Sequence, residues 1–322
     1  MASPLELFKL VFLKQIKNSD KCLVFGPHFL AVRNDPIIVS MPFSLDPFDK
    51  IFTLGPKGTF SNAAATLVGQ EQIKEIVYCN TLPQITKSVV FDDQALGVIP
   101  IENSTSGTVT QAQDSLIEHD VEIIGEITVA VQYALVSHVE LDQIERYYCH
   151  AVAFNQCMQF EADVIPNAEV IYANSNVRSA EKFLESAGQK VAAIVPLPFA
   201  LLDERLSPLV KVEHIQDVDD NETRFLVLKK RSGHLPDFSK NKTSMYVQLH
   251  EDRHSLLFEV LKEFHGSNVN LCRLESRPAK GSKWQYGFFI DFYNNSQVSA
   301  CLNALAVKDI EYKIIGSYSG FP

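Results

Sequence analysis

Gly97-Val98-Ile99-Pro100-Ile101-Glu102-Asn103-Ser104-Thr105-Ser106-Gly107-Thr108-Val109 changes character in mid-run. The chain enters from an apolar stretch, Ala95 to Ile99, that reads as a buried strand, reaches Glu102 and Asn103 at its end, and turns through Ser104 to Gly107. A helix is predicted from Val109 to near His119. Strand, polar turn and helix in this order form the mouth of an α/β sheet. There, free backbone N–H groups and the hydroxyls of Ser104, Thr105 and Ser106 suit an anion. An ordinary polar helix cap fits the same letters.

The segments on either side have the same rhythm. Upstream, Ile51 to Leu54 reads as a strand, Gly55-Pro56-Lys57-Gly58 as a turn, and Ser61 as the N-cap of a helix reaching Val68. Further strands are predicted at Glu75 to Tyr78, Val121 to Ile124, Tyr133 to Val136 and Glu169 to Tyr172, with helices at Leu82 to Phe91 and Ser179 to Ser186. Strands alternating with helices specify an α/β sheet. Around Arg231 to Thr243 the composition shifts to Ser, Gly, Pro, Asp, Asn and Lys, which reads as a linker. Beyond it the order is strand (Thr243 to Leu249), helix (Ser255 to His265), strand (Val269 to Ser276), a turn at Lys280-Gly281-Ser282, strand (Trp284 to Asp291), helix (Gln297 to Ala306) and strand (Glu311 to Ser317). That βαββαβ order is ferredoxin-like.

A length of 322 residues supports two or three compact units with their own cores. The 29 Lys and Arg against 39 Asp and Glu give a formal charge of −10, which repels a phosphate backbone, and no basic cluster offsets it. Nucleic acid is therefore not an expected partner. Six scattered cysteines without a C-x-x-C pair indicate neither a metal site nor a disulfide framework. Residues 1–50 carry short apolar runs broken by Gly26-Pro27, Arg33-Asn34 and Pro36, far short of a bilayer span and without the form of a signal peptide. They read as an extension of strands and turns in a soluble, cytoplasmic protein with no membrane partner.

Three segments in order, Phe52-Thr53-Leu54-Gly55-Pro56-Lys57-Gly58-Thr59-Phe60-Ser61, the Pro100-Ile101-Glu102-Asn103-Ser104 run with Gly107 and Val109, and Thr223-Arg224-Phe225, resemble the prephenate dehydratase family. Glu275-Ser276-Arg277-Pro278 is similar to a motif of that family's C-terminal ACT domain. The resemblance covers roughly residues 51–319. It implies a two-lobed fold like the type II periplasmic binding proteins over residues 51–230, with lobe one at 51–124 plus 207–230 and lobe two at 125–206. A linker at 231–242 and an ACT domain at 243–322 complete it. The implied reaction is the decarboxylating dehydration of prephenate to phenylpyruvate in phenylalanine biosynthesis, a lyase reaction that requires no cofactor or metal. Arogenate, the aminated analogue, is the alternative substrate, and a catalytically silent amino-acid sensor is the alternative of another class. A chorismate mutase domain is not expected in the 50 residues of short strands.

Carried over by the resemblance, Thr223, Asn103 and Glu102 are the candidate catalytic residues. Thr223 is expected to donate a hydrogen bond to the leaving hydroxyl, and Asn103 to touch the ligand. Glu102, which would repel a dianion, orients Arg224 or another basic group. Ser104, Ser106, Gly107, Gln156, Ser175, Arg178, Arg224 and Phe225 are the candidate substrate-binding residues. Strand alternation sends Arg224 to the face opposite Thr223, so it reaches a substrate carboxylate through a bulge or else makes a structural ion pair. Phe225 returns to the Thr223 face as pocket wall or core aromatic. His150, near a strand end, reads as structural.

Lobe two departs from the family pattern. Asn174-Ser175-Asn176-Val177-Arg178 keeps its serine, lacks the usual threonine, and offers Arg178 as a new cation. Ile194-Val195-Pro196-Leu197-Pro198-Phe199-Ala200 carries two prolines that reshape the backbone. In the ACT-like part His254-Ser255-Leu256 replaces a small turn, and Leu256, Asn268, Glu275, Ser276, Arg277 and Pro278 are the candidate effector contacts. L-phenylalanine is the implied effector, and the ACT domains imply a homodimer or homotetramer.

Overall fold

A computed structural model describes residues 43–69, 72–248, 255–278 and 286–320. Most of the N-terminal extension (1–42), His254 and the turn at Lys280-Gly281-Ser282 lie outside these residues.

Three sheets make up the chain. The first contains β1 (Lys50–Leu54), β2 (Glu75–Cys79), β3 (Ala95–Asn103), β4 (Gly107–Thr108), β5 (Val121–Ala130) and, from far along the chain, β11 (Glu222–Lys230), in the order β2-β1-β3-β11-β5 with β4 on β3. Helices α1 (Phe60–Gly69), α2 (Leu82–Phe91) and α3 (Thr110–Glu118) cover it. The second sheet contains β6 (Tyr133–Ser137), β7 (Arg146–His150), β8 (Glu169–Ala173), β9 (Val191–Pro196) and β10 (Val210–Glu213), in the order β10-β6-β9-β7-β8. Its helices are α4 (Ala151–Phe154), α5 (Met158–Val164), α6 (Asn176–Glu185) and α7 (Leu197–Leu202).

The two lobes are joined by the short segment between β5 and β6 and by the segment from β10 to β11. Val131 N–H donates to the Asn221 carbonyl at 2.7 Å, tying the two connections together. The expected lobe boundaries shift accordingly. β5 runs on to Ala130 because β11 pairs with its whole length, and residues 210–213 belong to lobe two because they pair with β6. The prolines of the altered lobe-two segment fall where proline fits, Pro196 ending β9 and Pro198 in the first turn of α7.

The third sheet, with β12 (Lys242–Gln248), β13 (Leu271–Pro278), β14 (Tyr286–Tyr293) and β15 (Tyr312–Tyr318), is antiparallel in the order β13-β14-β12-β15. With α8 (Leu256–Gly266) and α9 (Val298–Val307) it completes the βαββαβ unit. One face buries Val260, Phe264, Leu302 and Leu305 against Met245 and Ile290. The other face puts Tyr246, Phe289, Ile315 and Tyr318 into one core with Ile99, Leu226 and Leu228 of lobe one. Each large side chain buried this way contributes about 1.5–3 kcal/mol, so the third unit is fused to lobe one through a hydrophobic core. An isolated bridge between Gly125 and Ser319 extends the contact along β5.

Candidate active site

The end of β3 and the start of β11 lie side by side and antiparallel, with Asn103 opposite Thr223 and Glu102 opposite Arg224. The register then slips, Phe225 facing Pro100, so that Ile101 is an extra residue bulged out of β3. The two residue pairs therefore present opposite faces. Asn103 and Thr223 look toward the lobe junction, and Glu102 and Arg224 look toward the third sheet.

Asn103 is 9% exposed and its carboxamide is fully engaged. Its Nδ2 donates to Asn221 Oδ1 at 2.7 Å, to the Glu222 carbonyl at 3.0 Å and to Thr223 Oγ1 at 3.0 Å. Its Oδ1 accepts the backbone N–H groups of Thr105 (3.0 Å) and Ser106 (2.8 Å). Both expectations for this turn change as a result. The turn N–H groups bind the Asn103 side chain instead of an anion, and Asn103 acts by positioning, having no hydrogen-bonding group left for a ligand. Ser104 is likewise structural: its hydroxyl accepts from Glu222 N–H at 2.9 Å, and its own N–H donates to the Glu222 carbonyl. Gly107, at φ +78°, closes the tight hairpin between β3 and β4 in a conformation that favours glycine.

Thr223 Oγ1 receives a hydrogen from Asn103 and, among the described residues, gives its own to no acceptor. The rotor is held by one partner while its proton stays available. Ser106, anchored through its N–H, reaches across to lobe two, where Gln156 Nε2 donates to its Oγ at 3.3 Å. Gln156 is 7% exposed and its Oε1 is buried without a partner among the described residues. Sequence-predicted residues from both lobes thus meet at Asn103, Thr223, Ser106 and Gln156. Asn221, buried beside Asn103, was missed. Its position two residues before Thr223, on the same strand face, is the alternation that could have found it.

The other candidates fall elsewhere. Glu102 and Arg224 point away from the lobe junction: Arg224 Nη2 donates to Glu102 Oε2 at 3.1 Å and to Asp291 Oδ2 at 3.0 Å, and its Nη1 to Glu126 Oε2 at 3.0 Å. Burial alone would lower the pKa of Arg224, but the carboxylates, Asp291 foremost, raise it. Arg224 is thus an ion-pair residue, and Glu102 meets its guanidinium on the face opposite Asn103 and Thr223. Phe225, 1% exposed, packs with Val98 and Val227 in the core beneath α1 and walls no pocket. Arg178 pairs with Glu181 and Glu185 along the outer side of its own helix at 2.9 and 3.0 Å. Ser175 caps α6 by accepting from Arg178 N–H at 3.0 Å. In the first turn of lobe one the cap is Thr59, whose hydroxyl accepts from Asn62 N–H, and Ser61 lies inside the helix. Gly58, at φ +94°, lies so close to lobe two that a Cβ there would stand 2.6 Å from the Phe199 ring. Burial lowers the pKa of His150, keeping its imidazole neutral near pH 7.

The candidate effector residues divide in the same way. Leu256 is buried in the core of the third unit. Glu275 accepts from the Thr108 hydroxyl at 3.1 Å, and Arg277 donates to both oxygens of Asp114 at 3.1 Å, so both reach lobe one. Ser276, Pro278 and Asn268 are exposed.

Among the described residues no group of three His, Cys, Asp or Glu is placed to hold a metal, and no helix is long and apolar enough to cross a membrane. The family model for prephenate dehydratase matches residues 51–233, more than half of the chain. The chain belongs to the prephenate dehydratase family. It is 31% identical to the prephenate dehydratase of Methanocaldococcus jannaschii over 84% of this chain and 98% of that one. It is 32% identical to the bifunctional chorismate mutase/prephenate dehydratase of Pseudomonas aeruginosa over 87% of this chain and 76% of the relative. Among solved structures, the prephenate dehydratase of Arthrobacter aurescens in complex with L-Phe is similar, with TM-score 0.73 and 33% identity over 84% of this chain and 89% of that one. In prephenate dehydratase terms, the motif residues of both strand ends are present, and Glu102 and Arg224 are the ones that face the C-terminal unit.

Proposed function

We propose that this chain converts prephenate to phenylpyruvate in the cleft between its two lobes. The observation that carries the reading is the Thr223 hydroxyl, fixed by Asn103 at 3.0 Å with its own proton given to no acceptor among the described residues. In the reaction the bond to the ring carboxylate breaks and CO2 leaves. The released electron pair completes the aromatic ring and expels the hydroxyl, which takes up a proton from solvent and departs as water. Aromatisation supplies the driving force, so the site has only to orient the substrate and stabilise charge developing on the leaving oxygen. Thr223 donates a hydrogen bond to that oxygen. Gln156 Oε1 of lobe two, which has no partner among the described residues, and the Ser106 hydroxyl of lobe one orient the substrate where the lobes meet.

The C-terminal βαββαβ unit is read as an ACT domain that binds L-phenylalanine, with exposed Asn268, Ser276 and Pro278 as its remaining candidate contacts, in a cytoplasmic homo-oligomer. One experiment tests the whole reading. Purified chain is incubated with prephenate and, separately, with arogenate, with and without L-phenylalanine, and phenylpyruvate and phenylalanine are quantified. Phenylpyruvate formed from prephenate and suppressed by L-phenylalanine is the expected outcome. Turnover of arogenate alone would transfer the site to the aminated substrate, and no turnover of either would contradict it. Turnover untouched by L-phenylalanine would remove the effector assignment.

A further inference from the structure

Thr223 and Asn103 each precede or follow, by one residue, a side chain committed to the C-terminal unit. Arg224 and Glu102 meet Asp291 of β14 behind the sheet. Asp291 is 4% exposed, and Ser244 of β12 donates to its second oxygen at 2.6 Å while contacting the Tyr318 hydroxyl at 2.8 Å. Lys242, also of β12, holds Glu126 at 2.9 and 3.1 Å from the other side. Three carboxylates, Glu102, Glu126 and Asp291, thus face three cations, Arg224, Lys242 and Arg273, the last with Nε 3.3 Å from Glu102. The C-terminal unit contributes Asp291, Lys242 and Arg273 to this cluster. Asp291 shares Arg224 Nη2 with Glu102, and it is the acceptor through which that guanidinium is tied to the C-terminal unit.

Resting on the proposed function, we propose that Asp291 is a positioning residue for the dehydratase reaction. Through Arg224 and Glu102 the C-terminal unit fixes the ends of β11 and β3 and thereby the placement of the Thr223 hydroxyl. The bulge at Ile101 makes this coupling specific. Beyond it β3 and β11 share a continuous apolar core, whereas at Glu102 and Arg224 the pairing is held from behind by charge. Without the Asp291 carboxylate, Arg224 retains Glu102 and Glu126, both on dehydratase strands, and the strand end is free to move relative to the C-terminal sheet. Displacement of a reacting group by even about 1 Å costs on the order of 100-fold in rate.

The test is Asp291→Asn in the full chain, assayed with prephenate alongside wild type, Thr223→Ala and the double variant. The expected result is a kcat lowered about 10- to 100-fold with KM changed less than about threefold. In the Thr223→Ala background the same substitution should change kcat by less than about threefold, because it acts through the hydroxyl already removed. Equal losses in both backgrounds would show a merely structural contact, and an unchanged kcat would show none at all; either overturns the inference. If Asp291→Asn does not fold by circular dichroism, Ser244→Ala, which deletes only the hydroxyl donor to Asp291, is put through the same comparison and decides by the same criterion. An inactive wild-type chain would overturn the proposed function and this inference with it, whereas an active one with additive variants overturns only the inference.

Discussion

Thr223→Ala is expected to lower kcat for prephenate by about 100- to 1000-fold, the loss typical of removing one preorganised donor to developing negative charge. KM should move little, because a hydrogen bond that strengthens only as the hydroxyl departs contributes to the transition state and not to ground-state binding. The fold should tolerate the change. Asn103 keeps Asn221 Oδ1 at 2.7 Å and the Glu222 carbonyl at 3.0 Å, so no buried donor is stranded when Oγ1 disappears. Thr223→Ser, which retains the hydroxyl, should recover most of the rate. A kcat for the alanine variant within threefold of wild type, measured by phenylpyruvate formation, would take Thr223 out of the chemistry.

Arg224→Met should destabilise the protein by about 3–5 kcal/mol, the range for breaking a buried pair while leaving its partner charged. Methionine preserves much of the volume, so the loss reports charge. Arg224 is 15% exposed at its side chain, and its partners Glu126 and Asp291 are 1% and 5% exposed, so solvent screens this cluster little. Burial by itself would raise the pKa of the Asp291 carboxyl, but Arg224 and then Arg273 outweigh it, and its pKa lies below the ordinary 3.8. A depressed carboxyl contributes stability that is present above its unfolded value and lost as pH falls through the folded one. In Arg224→Met the largest cause holding the Asp291 carboxyl down is gone, so it protonates at a higher pH than in wild type, and the gap between the two should narrow as pH falls through the acid range, starting at the variant's higher value. Urea unfolding at pH 7 and at low pH measures both quantities. A loss below about 1 kcal/mol at pH 7 would mean that the ion cluster behaves like an exposed surface pair.

Much of the fold could be read from the sequence because strand and helix periods are local. The βαββαβ order after the linker, the helix from residue 110 and the neighbouring strands follow from the spacing of apolar side chains. The lobe boundaries were less legible: whether 125–130 and 210–213 belong to one sheet or the other depends on pairing with β11 and β6, partners distant in the chain. At the site, strand alternation correctly sent Arg224 away from Thr223, but sequence held no sign of what it would meet. Asp291 lies 67 residues later, on a strand of another unit. The roles of Asn103, Arg178 and Phe225 depended on what else their side chains could bind. The structure supplies Asn221 and two turn N–H groups for Asn103, two glutamates for Arg178 and a closed core for Phe225. Ser106 and Gln156 were candidates only through the resemblance, and their contact between lobes was not legible, since 50 positions and a lobe junction separate the two.

A crystal structure with bound phenylpyruvate tests the account at its centre. The ligand should lie between the lobes, with the ring carbon that lost the hydroxyl facing Thr223 Oγ1 in van der Waals contact at about 4 Å and its side chain near Gln156. Product bound on any surface remote from Thr223, with that hydroxyl facing only protein or bulk water, would contradict it.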